Sequence, residues 1–301
     1  MELGSVSIRN PIVLAAGTCG TMGEIADAIN LRRVGAITTK SITVEPREGN
    51  PPHRIADLPI GMLNAIGLAN EGIEAFLTTH APKACDLNTT VIGSIAGGTI
   101  DEYTRLAAAM DAADGIDLIE VNVSCPNTDD GRHFGDNPDS LRELLTAVKA
   151  ATNATPMIAK LSAAPGDIRP HAAAAIDAGA DALTLINTYP AMAIDITTRK
   201  PRLTRGMGGL SGPAIHPIAV RVVREVHRDV AASAGVPIIG TGGVMSWTDA
   251  AEFILAGASA IGIGTALFVD PTIAIHVESG LRRWVADQGC QSVSELVGGL
   301  R

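Results

Sequence analysis

An alternation of short apolar runs with helical stretches limits what this 301-residue chain can fold into. The apolar runs are rich in Val, Ile and Ala and carry few charges, as parallel strands do when helices bury them. The eight predicted strands are Ile12–Ala16, Ala36–Lys40, Thr90–Ile95, Leu118–Val123, Met157–Leu161, Ala182–Ile186, Val236–Gly240 and Ala260–Gly264. Eight β/α units in one chain predict an α/β fold, a closed (β/α)₈ TIM barrel.

A predicted helix follows each of these strands. The helices are Gly23–Arg33, Asn70–Ala84, Asp101–Ala113, Pro138–Thr152, Gly166–Ala178, Pro213–Ala234, Ser246–Ala256 and Pro271–Gln288. The alternative fold is a doubly wound open sheet, but no Gly-x-Gly-x-x-Gly motif closes the first strand. No segment resembles a linker or a low-complexity tract, so we expect residues 1–301 to form a single domain.

Composition excludes several classes of function. The net charge is −9 without a basic block, which argues against binding to nucleic acid or to an anionic membrane surface. No apolar run reaches the length of a membrane span, and the first residues do not resemble a signal peptide. The four cysteines are far apart and form no Cys-x-x-Cys pair, which predicts a reducing, cytoplasmic location and no metal site.

Three connections are longer than a barrel requires. They run from Ser41 to Asn70, from Ser124 to Asn137 and from Asn187 to Gly212, and each follows a predicted strand. All three therefore lie at the carboxyl face, where barrel enzymes carry their chemistry. Long loops in a compact domain are usually functional or disordered. Their Asn, Gly, Thr and Pro residues favour a functional role.

Glycines end the last two predicted strands, in the sequences Gly-Thr-Gly-Gly at 240–243 and Gly-Ile-Gly-Thr at 262–265. Glycine lets backbone N–H groups approach an anion closely, and the following helix adds its positive end. The loops after the seventh and eighth strands of a barrel commonly hold a phosphate. Together with Ser211-Gly212, the two glycine pairs predict a site for a phosphorylated cofactor.

Two lysines and several asparagines follow other strands at the same face. Lys40 and Lys160 stand in apolar strand runs, where an ammonium group is costly unless it faces a charge. Such lysines suit an anionic or electron-rich ligand, and beside a flavin they would stabilise its reduced form. The asparagines are Asn64, Asn122, Asn127 and Asn187, with Thr188 next to the last. Their planar donors and acceptors match a heterocycle with alternating N–H and C=O groups.

Cys125 lies in the hexapeptide Asn-Val-Ser-Cys-Pro-Asn at 122–127, directly after the fourth predicted strand. A cysteine flanked by amides at the carboxyl face is a candidate acid or base. A free thiol has a pKa of about 8.5, so activity is expected to rise with pH as the thiolate forms. Cys19, Cys85 and Cys290 are expected to have no catalytic role.

The chain resembles the class 1 dihydroorotate dehydrogenases from about Ser5 to Pro271. The similar stretches are AAGT (15–18), TTKS (38–41), EPREGNPPHR (45–54), GMLNAIGLAN (61–70), NVSCPN (122–127), IDITTRKP (194–201), GGLSGPAI (208–215), GTGGV (240–244) and GIGTALF (262–268). So many motifs in one order are far more specific than a single Gly-rich loop. Two of them, Met-Leu-Asn-Ala-Ile-Gly-Leu and Thr-Arg-Lys-Pro, are more similar to class 1B than to class 1A.

This resemblance implies an FMN barrel that oxidises dihydroorotate to orotate in pyrimidine synthesis. Cys125 would take the C5 proton, and the C6 hydride would pass to FMN N5. The implied FMN residues are Ala16, Gly17, Lys40, Ser41, Ser94, Asn122, Lys160, Ile186, Gly212, Gly242, Gly243, Gly264 and Thr265. The implied substrate residues are Lys40, Asn64, Gly67, Leu68, Asn122, Asn127, Asn187 and Thr188.

The class 1B resemblance also implies partners. A second subunit with FAD and an iron–sulfur cluster would pass electrons to NAD, in a heterotetramer built on a homodimer. The residues leave fumarate or a quinone open as the acceptor. Three positions depart from the family pattern, namely Tyr189-Pro190-Ala191, His53 and Ser94, and Tyr189-Pro190 is expected to stiffen a loop over the substrate.

Other functions compete with this interpretation. A dihydropyrimidine dehydrogenase would keep a similar cysteine loop but usually lacks the asparagine that is Asn127 here. A dihydrouridine synthase would need a basic face to bind RNA, and a net charge of −9 without a basic block does not indicate one. A non-catalytic barrel that binds a phosphate ligand or a partner is disfavoured by the intact set of lysine, asparagine and cysteine residues.

Overall fold

Eight parallel strands form the centre of the computed structural model, which describes residues 1–123, 134–162 and 166–301. In chain order, strands β1 to β8 are Ile12–Leu14, Ala36–Thr38, Thr90–Ile95, Leu118–Asn122, Met157–Leu161, Ala182–Leu185, Ile238–Thr241 and Ala260–Ile263. Each strand pairs in parallel with the next, and β8 pairs with β1, so the sheet closes. The predicted (β/α)₈ barrel is confirmed.

The two faces of these strands bury different layers. Every second residue points into the barrel, where an apolar layer forms near the amino ends of the strands. This layer consists of Val13, Ala36, Ile92, Leu118, Ile158, Ala182, Ile239 and Ala260. Leu3 of strand Glu2–Leu3 and Ile8, which follows its partner strand Val6–Ser7, pack against it. The alternate residues face the helices in the larger core.

Helices connect the strands on the outside of the barrel. The α-helices are Gly72–Ala75, Ile100–Asp111, Pro138–Ala151, Arg169–Asp177, His216–Val226, Ala232–Ala234, Trp247–Ala256, Ala266–Val269 and Ile273–Asp287. Side-chain oxygens of Thr99, Asn137 and Ser246 accept backbone N–H groups and so fix where three of them begin. Within the described residues, no helix is long and apolar enough to span a membrane.

The first two predicted helices differ from the structure. The prediction of one helix over Gly23–Arg33 was wrong, because the segment contains two 3₁₀ turns, Glu24–Asp27 and Leu31–Arg33. The Asn30 side chain accepts the N–H of Arg32 and caps the second turn separately, which interrupts a continuous helix. The second helix starts as predicted but continues as a π-helix, Phe76–His80, and then as a 3₁₀ helix, Ala81–Leu87.

Four further irregular helices lie elsewhere in the described chain. Short 3₁₀ helices span Phe134–Asp136, Pro213–Ile215 and Val293–Leu296, and a π-helix spans His227–Ala231. The last 3₁₀ helix belongs to the C-terminal segment. There the N–H groups of Gly298 and Leu300 donate to the carbonyls of Ile254 and Leu255, at 2.9 and 3.2 Å. The segment is therefore bound to the end of the helix that follows β7.

Two of the long connections fold together into a sheet above the barrel. Strands Ile55–Leu58, Gly61–Asn64, Gly208–Ser211 and Tyr189–Ala191 pair antiparallel in that order, and we call them the cap sheet. A separate hairpin joins Ile194–Asp195 to Lys200–Pro201. Tyr189–Ala191, where the sequence analysis expects a stiffened loop, is a short strand that pairs with residues 208–210.

Candidate active site

The central cavity lies at the carboxyl ends of the barrel strands, with the cap sheet as one wall. Its volume is about 780 Å³, within the range of roughly 300–1,000 Å³ typical of small-molecule sites. Twelve of the thirteen residues predicted to bind a cofactor line this cavity. They are Ala16, Gly17, Lys40, Ser41, Asn122, Lys160, Ile186, Gly212, Gly242, Gly243, Gly264 and Thr265. The structure therefore brings together residues from seven of the eight strand ends and their loops.

Predicted substrate residues line the same cavity. These are Lys40, Asn64, Gly67, Leu68, Asn122, Asn187 and Thr188. Cys125 and Asn127 lie outside the described residues, in the segment that follows Asn122 and Val123. Asn122 and Val123 both line the cavity, so the described segment that precedes Cys125 ends at the cavity wall.

Ser94 is the one predicted cofactor residue placed elsewhere. Its side chain is fully buried, and its Oγ lies 2.9 Å from the Oγ of Ser41. Ser41 lines the cavity, so Ser94 stands behind it, inside the barrel. Any effect of Ser94 on a bound ligand must therefore pass through its neighbours.

Glycines form a close-packed cradle at one side of the cavity. Gly243 has a φ of +68°, and a Cβ at this position would lie 2.7 Å from the Gly212 carbonyl and 2.8 Å from the His216 Cβ. Only glycine fits this backbone and this spacing. The amino end of helix His216–Val226 is adjacent, since the same Cβ would lie 3.1 Å from the His216 nitrogen. Loop and helix end together suit an anion.

Polar side chains hold this cradle in place. His216 Nδ1 donates to the Gly242 carbonyl at 2.9 Å, and Thr265 Oγ1 donates to Ser211 Oγ at 2.7 Å. The sequence interpretation did not single out His216. The signal that could have identified it is its position at the start of a helix, four residues after the Gly212 turn.

The two cavity lysines have different surroundings. Lys160 is buried and lies 3.4 Å from the carboxylate of Glu120, which is also buried. Lys40 has no salt bridge among the described residues. Burial lowers the pKa of Lys40, and the positive charges of Lys160 and Arg54 lower it further. These surroundings disfavour the charged form of Lys40, and an anionic ligand would stabilise it.

The amides form a hydrogen-bonded chain along the cavity wall. Asn187 Nδ2 donates to Asn122 Oδ1 at 3.1 Å, and Asn122 Nδ2 donates to Ser41 Oγ at 3.3 Å. Asn64 lies on the cap sheet, where its Nδ2 is 3.4 Å from the Gly209 carbonyl. The described asparagines of the predicted set thus surround one cavity, as the barrel prediction required.

Two asparagines that the sequence interpretation missed hold the loop at Gly67-Leu68. Asn50 Nδ2 donates to the Ala65 carbonyl at 2.8 Å, and Asn70 Nδ2 donates to the Leu68 carbonyl at 2.7 Å. Leu68 has a φ of +56°, which is rare for a branched side chain and is fixed here by these neighbours. Asn50 lies in the family-like stretch 45–54 and Asn70 in the stretch 61–70, so these two motifs could have identified them.

The described cysteines are poor candidates for acid–base chemistry. Cys19 is buried, and burial raises the pKa of its thiol to about 12. Cys85 is exposed and does not line the cavity. Among the described residues, no group of His, Cys, Asp or Glu side chains is arranged to hold a metal ion.

Comparisons with known proteins agree with this geometry. The family model described as dihydroorotate dehydrogenase matches residues 2–285. This chain belongs to the dihydroorotate dehydrogenase family. It is 46% identical to the dihydroorotate dehydrogenase B (NAD(+)) catalytic subunit of Trichlorobacter lovleyi, over all of this chain and 97% of the relative. It is 44% identical to the protein of the same name from Thermoanaerobacter, over all of this chain and 98% of that relative.

A solved structure shares the fold at lower identity. The dihydroorotate dehydrogenase of Eimeria tenella, crystallised in complex with ferulenol, superimposes with a TM-score of 0.83 at 20% identity. The match covers 99% of this chain and 87% of that chain. At this identity the likeness supports the barrel fold, while the family is shown by the sequence matches. The predicted family is confirmed.

Proposed function

We propose that this chain is the FMN-binding catalytic subunit of an NAD-linked dihydroorotate dehydrogenase, and that residues 1–301 form one domain. As a member of this family it oxidises dihydroorotate to orotate in pyrimidine biosynthesis. One observation carries the assignment: a single cavity combines a glycine cradle for an anion with lysines and amides for a planar polar ligand. The family implies a flavin cofactor, and we propose FMN.

The residues present fit FMN. Its phosphate would lie at the cradle, which is formed by Gly212, Gly242, Gly243, Gly264 and Thr265. Its ring would lie near Lys40 and Lys160, with Ala16, Gly17, Ser41, Asn122 and Ile186 along the wall. When bound, the flavin supplies a two-electron acceptor for the hydride that leaves C6 of dihydroorotate. The positive lysines favour the negative charge that this transfer brings to the site.

Substrate binding is assigned to the amide side of the cavity. Lys40 supplies the cation for the carboxylate of dihydroorotate, and Asn64, Asn187 and Thr188 lie near the ring. The loop at Gly67-Leu68 offers backbone groups, while Asn122 is shared with the flavin. Asn127 is assigned to the same set from its place in the motif. Amides that are already hydrogen-bonded to one another bind a planar ring with little reorganisation.

Cys125 is proposed as the base. Oxidation removes a proton from C5 and a hydride from C6, and the C5=C6 double bond of orotate forms from the electron pair left at C5. The thiolate of Cys125 accepts the proton and becomes a thiol. The proposal rests on its position three residues after Asn122 and on the raised pKa of Cys19, which removes that thiol as an alternative.

A partner subunit would complete electron transfer. The relatives are named as catalytic subunits, which implies a second subunit in this class. We propose that the second subunit carries FAD and an iron–sulfur cluster, reduces NAD, and joins a homodimer of this chain in a cytoplasmic heterotetramer.

Anaerobic mixing of the purified chain with L-dihydroorotate tests the proposal. We expect the visible band of bound FMN to bleach rapidly, and we expect no reduction of NAD until the partner subunit is added. Dihydrouracil is the matched control, since it lacks the carboxylate that Lys40 would bind. Bleaching by dihydrouracil but not by L-dihydroorotate would transfer the assignment to another dihydropyrimidine. A chain that binds no flavin would overturn it.

A further inference from the structure

Glu120 is a buried acid inside the barrel that the predicted site did not include. It lies on β4 between Leu118, which joins the interior apolar layer, and Asn122, which lines the cavity. The residue is 3% exposed. Because side chains alternate along a strand, these three residues face the barrel interior together. A carboxylate buried there requires partners.

Three neighbouring strands supply those partners. Glu120 Oε1 accepts from Ser94 Oγ at 3.3 Å and from Lys160 Nζ at 3.4 Å, and its Oε2 accepts from Thr184 Oγ1 at 3.1 Å. Strand register explains the cluster, since Ser94 pairs with Glu120 and Lys160 pairs with Thr184. The carboxylate thus neutralises Lys160 and fixes the position of its ammonium group at the cavity.

The same carboxylate connects to the amides on the wall. Ser94 Oγ lies 2.9 Å from Ser41 Oγ, which accepts from Asn122 Nδ2. An ionised carboxylate can only accept, so Ser94 donates to it and in turn accepts from Ser41. Ser41 then has a lone pair for the Asn122 amide nitrogen. This polarity leaves Asn122 Oδ1 to accept from Asn187 Nδ2.

We propose that Glu120 is a positioning residue for both ligands of the cavity. Through Lys160 it sets the charge beside the flavin, and through Ser94 and Ser41 it sets the orientation of the Asn122 amide beside the substrate. The inference rests on the proposed occupation of the cavity by FMN and dihydroorotate. It assigns no contact between Glu120 and either ligand.

Glu120→Gln tests the charge. In the FMN-loaded protein we expect the midpoint potential of the flavin to rise, because a negative charge is lost while the Lys160 ammonium remains beside the reduced flavin. We also expect the Kd for orotate, measured from the flavin spectrum, to rise about tenfold, since a glutamine amide can donate as well as accept. An unchanged potential together with an unchanged Kd would overturn the inference.

Asp181→Asn is the matched control. Asp181 also pairs with a lysine, Lys149, at 2.6 Å, but it precedes β6 at the amino end of the barrel. This variant removes one negative charge without touching the cavity. We expect its flavin potential and its Kd for orotate to equal those of the wild type, so an equal shift in both variants would count against a specific role of Glu120.

Ser94→Ala separates the connection through Lys160 from the connection through Ser94 and Ser41. It is also a smaller change in the barrel interior than Glu120→Gln, so it keeps the inference testable if the Glu120→Gln protein does not fold. It breaks the path to Ser41 but leaves Glu120 and Lys160 paired. We expect the Kd for orotate to rise several-fold while the flavin potential stays at the wild-type value. Wild-type affinity for orotate in this variant would remove the connection to the substrate. A wild-type chain that binds no FMN would instead refute the proposed function, which is a separate result.

Discussion

At the scale of single residues, the cavity contains two lysines in different surroundings, a buried Lys160 and a half-buried Lys40. Lys160 has a carboxylate partner, Glu120, at 3.4 Å inside the barrel. Lys40 has none among the described residues, and its pKa is lowered by burial. An ammonium group that is partly removed from water and has no carboxylate partner destabilises the ligand-free fold, and a bound anion compensates this cost. Lys40 is therefore expected to trade stability for binding.

Lys40→Met should therefore raise the stability of the ligand-free protein and abolish orotate binding. The folded state binds the Lys40 proton less readily than the unfolded state, so the residue costs stability at neutral pH and the cost disappears as pH rises towards the ordinary lysine pKa. We expect the Tm of the ligand-free variant to exceed that of the wild type by roughly 2 °C near neutral pH. The gain should shrink in alkaline buffer, while orotate binding is lost at every pH.

Calorimetry of ligand-free protein across pH measures this difference. Lys83→Met, on an exposed position of the 3₁₀ helix Ala81–Leu87, is the control and should leave both Tm and orotate binding unchanged. A Lys40→Met variant with a lower Tm than the wild type would show that the ammonium is well stabilised without a ligand.

Cys125 gives a second prediction at this scale. Cys125→Ala should retain FMN and lose turnover by a factor of about 100 or more, the usual contribution of a general base. Cys125→Ser should keep part of the activity only at high pH, because a serine hydroxyl is less acidic than a thiol and gives up its proton less readily. Stopped-flow bleaching of the flavin by dihydroorotate measures both.

Cys85→Ala is the control for these variants, because Cys85 is exposed and does not line the cavity. It should match the wild type in flavin content and in rate. Loss of flavin from Cys125→Ala would indicate a structural role for the cysteine, and unchanged bleaching would remove it from the reaction.

At the scale of elements, short turns between strands and helices do most of the positioning. The turn after β7 brings Gly243 against Gly212 and His216, while the cap sheet brings Asn64 to the cavity wall. The first contact joins two turns, at Gly212 and at Gly243, that are distant in sequence but that each lie four residues before the start of an α-helix. The second depends on pairing between Gly61–Asn64 and Gly208–Ser211, which are distant in sequence.

Gly243→Ala tests the cradle. An added Cβ would lie 2.7 Å from the Gly212 carbonyl, so one of the two turns must move and the backbone amides no longer converge on an anion. We expect the affinity for FMN to fall by at least about tenfold, which corresponds to roughly 1.4 kcal/mol. Fluorescence titration of the ligand-free variant with FMN measures the change.

Gly235→Ala is the matched control for this substitution. Gly235 has a nearly identical φ of +67°, but an added Cβ would have no atom within 4 Å. It therefore carries the backbone strain without the collision. We expect lower stability and normal FMN affinity, so equal losses of FMN in both variants would trace the effect to backbone strain instead of the cradle.

At the scale of the whole molecule, the charge of the chain and the charge of its cavity have opposite signs. The chain carries −9, yet Lys40, Lys160 and Arg205 line the cavity, where Asp136 is the acid among the described lining residues and Glu120 balances Lys160 from behind the wall. Charges inside a cleft act over a shorter distance and through less water than charges on the surface. The cavity therefore attracts anions although the molecule is acidic.

Salt should reveal this local attraction. We expect kcat/KM for dihydroorotate to fall about two- to threefold between low and physiological ionic strength, because salt screens the cavity charges. Arg205→Gln should weaken the dependence, as Arg205 is exposed at the cavity. Steady-state kinetics over a salt series provides the measurement.

Arg202→Gln serves as the comparison, since Arg202 is exposed nearby and does not line the cavity. It should keep the salt dependence of the wild type. A rate that increases with salt in the wild type would mean that the net charge of −9 dominates over the cavity.

Local pattern predicted the barrel, the glycine pairs and the polar strand ends, while the full sets of FMN and substrate residues came from the resemblance to the family. Strand runs, glycine pairs and the residues that end each strand follow from neighbours in the chain, so their positions at one end of a closed sheet could be predicted once eight units were counted. The segment Gly23–Arg33 was predicted incorrectly. Its helical pattern could not reveal that Asn30 caps a separate turn.

Contacts between distant segments were beyond the sequence. Nothing local indicated that residues 55–64 pair with residues 189–211 to form the cap sheet. Lys160 was predicted to suit an anionic or electron-rich ligand, but its protein partner Glu120, forty residues earlier, follows only from the register of β4 and β5. The sequence by itself determined the elements and the chemistry at their ends. Tertiary structure alone decided which side chains meet, because barrel closure sets the register of strands that are not adjacent in the chain.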